Sequence, residues 1–284
     1  MTHPLTVQDP LGALKRYVCF HVSHLLFPVA REYPFIGDLK LLVSRGDAGL
    51  VGNIYTGLYD FEEMGFLLHF LRQNDLFFDI GANTGVYSVL AAGATGCNVV
   101  AVEPVHRTFQ RLRGQLFLNQ LEERVKCYPF AVGESEGELY MTTDKGTMNH
   151  ITFEPSLSTQ TIQVKSIDSL SSIPPLMIKI DVEGYELPTL RGAKQLLSDT
   201  RLKAIIIEVN GSGSRNYDFA DNEIHTCLVD QGFLPYTYDV KKRELFPLSS
   251  PRADQHNTLY LRDLDFIRER LQTAPVCTVL NQSF

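Results

Sequence analysis

The feature that most constrains the fold is a short apolar run, LFFDI at residues 76–80, followed directly by the glycine-bracketed turn GANTG. A continuous apolar run of this length is typical of a strand that is buried on both faces of a sheet. The next nine residues, VYSVLAAGA, predict a helix. A buried strand, a tight turn and a helix in direct succession predict a β–α unit of a parallel sheet.

The same alternation continues along the chain. Further strands are predicted at CNVVAVEP, RVKCYPFAVG, LMIKID, KAIIIEV, LPYTYDV and NTLYLR. The helix after the first of these has one apolar face, formed by Val105, Phe109, Leu112 and Leu116, and ends near Asn119. We therefore predict an α/β fold with a doubly wound, mostly parallel sheet and helices on both faces.

Residues 134–165 interrupt this alternation. GELYMTT and TIQVKSI predict strands, and a polar, turn-rich stretch separates them. We expect an insertion above the carboxyl edge of the sheet, where it would act as a lid.

Helical regions flank the predicted sheet, so we divide the chain into an N-terminal helical extension (1–74), a Rossmann-like domain (75–262) and a C-terminal helix and tail (263–284). In the extension, one helix face would dock on the core, on a second subunit or on a membrane surface; it comprises Leu14, Val18, His21 and Leu25. A second helix follows Asp60, its expected N-cap. The final helix, DLDFIRERL, is expected to be capped by Asp263.

Charge and cysteine content exclude several classes of protein. The formal net charge is -7, whereas nucleic-acid binding depends on clustered basic charge, so no nucleic-acid partner is expected. The N-terminus lacks the ~7–15-residue apolar stretch of a signal peptide, and no segment reaches the ~18 apolar residues of a membrane span. The five cysteines include no C-x-x-C pair, which argues against disulfides and a cysteine zinc site. These features predict a cytoplasmic protein.

The turn after the first strand indicates the ligand. A dinucleotide-binding turn has a middle glycine where this chain has Asn83, and the P-loop pattern is absent. Asp79 at the strand end would repel phosphate but accept a cationic group. Glu103 lies 24 residues later, where an acid can accept both ribose hydroxyls. A ligand with a ribose, an amino acid head group and a positive centre fits best, as in S-adenosylmethionine. The alternative is that Gly81 and Gly85 only form a tight turn.

Several segments resemble the FkbM-type family of class I methyltransferases: FFDIGANTGVYSVLAA, VVAVEP, MIKIDVEGYELPTLRGA, IIIEVNG and NTLYL. The resemblance covers about residues 50–262. It implies a seven-stranded sheet whose last strand is antiparallel, S-adenosylmethionine as methyl donor, and a hydroxyl acceptor on a natural product, lipid or glycan.

The resemblance also implies roles for residues around the donor. The methionine side of the site would be shaped by Asp79, Gly81, Asn83 and Gly85. Glu103 would hold the ribose, while Ala131 and Val132 would border the adenine. Ala82, Pro104 and Asp181 complete the predicted cofactor site.

Methyl transfer to a hydroxyl also requires removal of a proton, because a neutral alcohol is a poor nucleophile. Candidate groups lie at the ends of the fourth and fifth strands, Lys179 and Asp181 on one and Glu208 on the other. His150, in the insertion, is a further candidate base. Oxygen ligands at Asp181, Glu208 and Asn210 would also suit a Mg²⁺ ion.

These observations predict a methyltransferase acting on a hydroxyl of a small natural product or sugar, with S-adenosylmethionine as cofactor. Three alternatives stay open: a nucleic-acid ribose methyltransferase, a NAD-type oxidoreductase and a non-catalytic scaffold. The oxidoreductase is disfavoured by Asn83 and by the absence of a Tyr-x-x-x-Lys pair. The N-terminal helices are expected to support a homodimer.

Overall fold

The computed structural model describes residues 3–27, 29–44, 46–143, 149–217, 219–252 and 257–284. Its α-helices are α1 (Pro4–Val7), α2 (Pro10–Leu26), α3 (Ala48–Thr56), α4 (Phe61–Phe70), α5 (Val86–Leu90), α6 (His106–Leu118), α7 (Glu186–Arg191), α8 (Lys194–Ser198), α9 (Ser212–Asn216), α10 (Asp221–Asp230) and α11 (Leu264–Gln272). A π-helical turn (Ala91–Thr95) extends α5, and a 3₁₀ turn spans Ile167–Ser169.

The strands form one large sheet, a smaller sheet and two hairpins. They are β1 (Arg31–Pro34), β2 (Lys40–Val43), β3 (Leu76–Ile80), β4 (Asn98–Val102), β5 (Val125–Tyr128), β6 (Ala131–Val132), β7 (Gly137–Thr142), β8 (Ile151–Thr152), β9 (Thr159–Lys165), β10 (Met177–Ile180), β11 (Ala204–Glu208), β12 (Leu234–Asp239), β13 (Glu244–Pro247), β14 (Asn257–Leu261), β15 (Thr278–Val279) and β16 (Gln282–Ser283).

The large sheet has the order β13-β12-β14-β11-β10-β3-β4-β5. Strands β5, β4, β3, β10 and β11 are parallel, and β14 runs antiparallel to both of its neighbours. The α/β fold and the antiparallel last strand are therefore confirmed. The predicted strand number is one too low, because β13 adds an eighth strand at the edge. Its residues are mostly exposed, so it lacks the apolar run that identified the buried strands.

Both faces of the parallel strands are buried, which explains their near-continuous apolar sequences. Phe77, Val99 and Ile206 belong to one core, which includes residues of the N-terminal extension. Phe78 and Ile205 belong to the opposite core, together with apolar residues of α7, α8 and α10. Successive residues of each strand thus point to opposite layers, and all the parallel strand ends meet at one edge.

The segment predicted as an insertion forms most of a separate four-stranded sheet, in the order β6-β9-β7-β8. Its own small core includes Met141, Ile151 and Ile162. The Gln160 side-chain amide donates to the Pro104 carbonyl over 3.1 Å, which joins this sheet to the residues that follow β4. The two predicted strands are confirmed; the lid role stays a prediction, and residues 144–148 lie outside the described part of the chain.

The N-terminal extension is not purely helical, because it contains the antiparallel hairpin β1–β2. Helix α2 forms as predicted, but it packs inward through Ala13, Phe20 and His24. Leu14, Val18 and Leu25, from the predicted face, are 47%, 47% and 72% exposed. The core is therefore not the partner of that face. No helix in the described ranges is both long enough and apolar enough to cross a membrane.

Asp60 and Asp263 occupy the predicted N-cap positions, but neither carboxylate accepts a capping hydrogen bond from its helix. Asp60 Oδ2 instead accepts from the Tyr87 hydroxyl over 2.9 Å. Asp263 pairs with Lys203. The predicted helices are confirmed, and both acids serve contacts between distant parts of the chain.

Gln115 of α6 forms hydrogen bonds that join this helix to the β1–β2 hairpin. Its side chain, 1% exposed, accepts from the Leu42 N–H over 2.8 Å and donates to the Leu42 carbonyl over 2.7 Å. Asn119 makes the same pair of bonds with Lys40 at an exposed position.

We expect Gln115→Ala to lower the free energy of unfolding by about 2 kcal/mol, since buried backbone groups lose their partners. Asn119→Ala is the matched control and should cost less than about 1 kcal/mol, because water replaces the amide. Urea unfolding of both variants measures the difference. If both variants lost the same free energy of unfolding, the burial of Gln115 would not explain its contribution to stability.

Candidate functional site

The loop after β3 is held against the end of β4. The N–H groups of Gly81 and Ala82 both donate to the Val102 carbonyl, over 3.0 and 2.9 Å. Gly81 has a φ of +77°, and a Cβ there would lie 1.8 Å from the Asp181 carbonyl oxygen. A side chain at this position is therefore excluded both by conformation and by contact. Asn83, with a φ of +50°, adopts a left-handed conformation that asparagine tolerates better than most residues.

Glu103 lies at the mouth of this loop. Its Oε2 accepts from the Asn83 N–H over 3.0 Å, and its Oε1 accepts from the Val105 N–H over 2.8 Å. Burial raises the pKa of Glu103 to about 7, although the two backbone N–H groups act against this rise. The carboxylate is thus fixed in place by two backbone donors.

A small cavity adjoins Glu103 and brings together most of the predicted cofactor residues. It is lined by Gly81, Asn83, Val102, Glu103, Pro104, Val105, Thr108, Ala131, Val132, Met141, Asn149, Ile151, Asp181, Val182 and Glu183. Gly85 is not among them. A Cβ on Gly85 would lie 2.3 Å from Leu112 Cδ1, so this glycine permits close packing of the loop on α6.

A buried charge cluster lies behind the loop. Asp79 is 1% exposed and its Oδ2 accepts from the Ser88 hydroxyl over 2.6 Å. Its backbone is paired with that of Lys179 across β3 and β10. Burial raises the pKa of Asp79, while the charge of Lys179 opposes the rise. The carboxylate is therefore held between α5 and the neighbouring strand.

Lys179 Nζ lies 2.7 Å from Asp181 Oδ2 and 4.8 Å from the centre of the Tyr87 ring. Burial alone would lower the pKa of Lys179, but Asp181 and Asp79 outweigh it and the net shift is upward. This lysine is thus a buried cation whose charge is balanced by two carboxylates.

A large cavity of about 1060 Å³ opens beside the small one and shares Gly81, Asn83, Asp181 and Glu183 with it. Asp79, Ala82, Lys179 and Glu208 also line it. Other walls come from outside the predicted catalytic sheet region: His3, Tyr59, Asp60, Phe61, Glu62 and Glu63 on the N-terminal side. Sequence reasoning did not place these N-terminal residues in the site.

Glu208 ends β11 and faces this large cavity. Burial and the nearby Asp181 raise its pKa to about 7, while a hydrogen bond from the Asn210 side chain opposes the rise. The Asn210 side chain thus donates to Glu208 at the end of β11. Within the described part of the chain, no group of three or more His, Cys, Asp or Glu side chains could hold a metal ion. The predicted Mg²⁺ site on Asp181, Glu208 and Asn210 is thus unsupported.

His150 lines neither the small nor the large cavity. Its N–H donates to Thr142 Oγ1 and its carbonyl accepts from the Thr142 N–H, both over 3.0 Å, which places it beside β7. Tyr217, in the loop after β11, donates its hydroxyl to the Ile151 carbonyl over 2.8 Å. His256 directly precedes the last strand in the sequence, where a role at the rim of the site is a further hypothesis, but it lies outside the described residues.

Glu186 is a buried acid that the sequence did not single out. It accepts from the Gly184 N–H over 3.1 Å and from the Val182 N–H over 3.3 Å. Burial raises the pKa of Glu186 to about 8. These bonds fix the turn after β10, in which Glu183 has a φ of +53°. The sequence signal that could have identified Glu186 is its position two residues after Gly184, in the turn that follows a predicted strand.

Comparison with known proteins gives a family match. The model of the methyltransferase FkbM domain matches residues 79–235. Hexuronic acid methyltransferase AglP of Haloferax volcanii is 26% identical over 148 residues, which are 51% of this chain and 59% of that protein. The match thus spans little more than half of the relative's length.

The chain is also similar to two solved structures. Methyltransferase FkbM from Methylobacillus flagellatus is 18% identical, with a TM-score of 0.47 over 75% of this chain and 52% of its own. A Streptococcus mutans methyltransferase in complex with SAH is 14% identical, with a TM-score of 0.44 over 70% of this chain and 94% of its own.

Proposed function

This chain belongs to the FkbM methyltransferase family, and on that premise we propose that it transfers a methyl group from S-adenosylmethionine to a hydroxyl of a sugar or small natural product. The observation that carries this proposal is the Glu103 carboxylate, held by Asn83 and Val105 at the mouth of the Gly81 loop. It is the group that a ribose diol requires, and it lies at the carboxyl edge of the sheet, where α/β folds bind ligands.

The residues present fit this donor. Glu103 would accept the ribose hydroxyls, Ala131 and Val132 would border the adenine, and the loop from Gly81 to Asn83 with Asp181 would hold the methionine end. The small cavity has a volume of about 80 Å³, below the ~300–1,000 Å³ of ordinary ligand sites. We therefore expect Met141, Asn149 and Ile151 to move outward when the nucleoside binds. The bound donor supplies a methyl group already activated by its sulfonium charge.

The acceptor would occupy the large cavity, with Glu208 as general base. A carboxylate with a pKa of about 7 is half ionised near neutral pH and can take the proton of a hydroxyl. Lys179 and Asp181 would orient the hydroxyl beside it. Because His150 lines neither cavity, we assign the proton transfer to Glu208.

Charge in the large cavity favours an uncharged acceptor. The lining has eight acids and three basic residues, and two of the bases are paired: Lys179 with Asp181, and Arg252 with Glu62 over 2.9 Å. Burial raises the pKa of Glu63 and of Glu183 to about 8, so these two acids are largely protonated near neutral pH. The six other acids still outnumber the three basic residues, and an anionic substrate would meet an excess of negative charge. This argues against a nucleic-acid backbone, and it also distinguishes the expected acceptor from the hexuronic acid named for the Haloferax relative.

Calorimetry tests the proposed donor. We expect S-adenosylhomocysteine, the demethylated product, to bind, and NAD to show no binding. With radiolabelled S-adenosylmethionine, neutral glycosides should accept label in preference to the matching uronic acids. Tight binding of NAD without binding of the demethylated product would overturn the proposal in favour of an oxidoreductase.

A further inference from the structure

The outward face of α2 is an apolar stripe, formed by Leu11, Leu14, Val18, Val22 and Leu25. Their spacings of three, four, four and three residues place them on one side of the helix. They are between 47% and 80% exposed. The opposite side of α2 already packs on the protein through Ala13, Phe20 and His24, so the stripe is not needed to hold the helix.

The stripe is the main concentration of exposed apolar side chains in the described residues. Of the 19 large hydrophobic residues that are exposed in the described part of the chain, ten lie between Val7 and Val29. Beyond the end of α2 the apolar surface continues in Phe27 and Val29, which are 56% and 60% exposed. Apolar surface of this extent, collected on one helix, marks an interaction site.

The charge of this region differs in sign from that of the whole chain. Residues 10–31 contain Lys15, Arg16 and Arg31 and no acid, whereas the chain carries a net charge of -7. Arg16 faces inward, where it pairs with Asp9 over 3.1 Å and donates to the Tyr55 carbonyl. Lys15 is exposed and lies on the helix one position after Leu14. The Arg31 guanidinium stacks 5.0 Å above the Phe27 ring, just beyond the end of the helix. Lys15 near the start of the stripe and Arg31 just beyond its end are thus the two cations that accompany it.

We propose that α2 binds the surface of a membrane containing anionic lipids, with the helix lying in the plane of the interface and its stripe buried among the acyl chains. A helix that joins an apolar face to basic residues is suited to this environment. A second copy of the chain is a poorer partner, because residues 10–31 contain no acid that could pair with Lys15 or Arg31 of the other copy. The proposal does not depend on the proposed methyl transfer.

The chain connects this face with the large cavity. His3 and Pro4 line the cavity, and Asp9 leads into α2 by accepting from the Gly12 N–H over 2.9 Å. Only a few residues therefore separate the cavity wall from the start of the stripe, so membrane binding would bring the N-terminal wall of the cavity close to the lipid surface.

Vesicle flotation of the full chain tests the proposal. The protein should float with vesicles of phosphatidylcholine and phosphatidylglycerol, less with phosphatidylcholine alone, and less again at high salt. The combined substitution Leu14→Gln, Val18→Gln and Leu25→Gln should reduce the floating fraction about tenfold. Phe117→Gln and Ile173→Gln are matched controls at exposed apolar positions elsewhere (75% and 64% exposed) and should float like the unmodified protein.

Light scattering and circular dichroism complete the test. All variants should keep the helix content and thermal unfolding of the unmodified chain, because the replaced side chains are exposed. Absence of flotation with both kinds of vesicle would overturn the proposal. If the chain is then a dimer that the triple substitution turns into a monomer, the stripe is an interface between two copies, as the sequence suggested.

Discussion

Replacing Glu208 with Gln should lower kcat about 100- to 10,000-fold, the range expected when a general base is lost. The amide keeps the size of the side chain and one acceptor oxygen but cannot take the proton of the acceptor hydroxyl. Affinity for S-adenosylhomocysteine should stay unchanged, because Glu208 lines the large cavity and not the small one. Labelled methyl transfer and calorimetry measure these two quantities separately.

The pH profile gives this prediction a second readout. The pKa of Glu208 is raised to about 7, and only the ionised form accepts a proton. The kcat of the unmodified enzyme should therefore rise with pH up to about 7 and level off above it, and Glu208→Gln should remove the rise. His150→Ala serves as the comparison. If that substitution abolished turnover while Glu208→Gln did not, the base would be His150, as the sequence suggested.

Replacing Glu103 with Ala should weaken binding of S-adenosylhomocysteine about 100-fold. Two hydrogen bonds from ribose hydroxyls to a carboxylate contribute about 3 kcal/mol together, and each 1.4 kcal/mol is a factor of about ten in affinity. The substitution removes a buried acid whose pKa burial has raised to about 7, but it also leaves the Asn83 and Val105 N–H groups without their acceptor, so some loss of stability is expected. Affinity is therefore measured well below the melting temperature of the variant, where both proteins are folded.

Two substitutions control the Glu103 experiment. Glu122→Ala removes an exposed acid and should leave affinity unchanged, so that a general effect of net charge is excluded. Glu103→Gln keeps one acceptor oxygen but turns its amide NH2 toward a backbone N–H. Its affinity for S-adenosylhomocysteine should lie between that of Glu103→Ala and that of the unmodified protein. Normal affinity in Glu103→Ala would contradict the placement of the ribose.

The local parts of the fold and site were predictable from the sequence. The strand and loop around Asp79 follow from an apolar run and two glycines, and Glu103 follows from its distance to that loop. Lys179 and Asp181 share one side of a strand because side chains alternate, and the structure joins them in an ion pair. In each case the contacting groups lie on one element or on strands that pair in register.

Contacts between distant parts of the chain were not predictable. Asp60 looked like a helix cap, yet it accepts from Tyr87, which lies 27 residues away. Glu62 pairs with Arg252 across 190 residues. These contacts depend on how helices and strands pack against one another. The local sequence pattern around Asp60 or Glu62 does not predict that packing. The same holds for the apolar stripe of α2, because the periodicity of apolar residues predicts the helix face but not the partner that covers it.

The walls of the large cavity divide the chain in a way that bears on how such enzymes diversify. Glu103 and the glycine loop lie within the family-matched residues 79–235, whereas much of the large cavity comes from residues 3–63 and 237–257. The proposed donor site therefore lies within the family-matched stretch, whereas the proposed acceptor site joins Lys179, Asp181 and Glu208 of that stretch to walls from both sides of it. Substitutions in the walls from residues 3–63 and 237–257 can therefore change the shape and charge of the proposed acceptor site without altering the residues around Glu103.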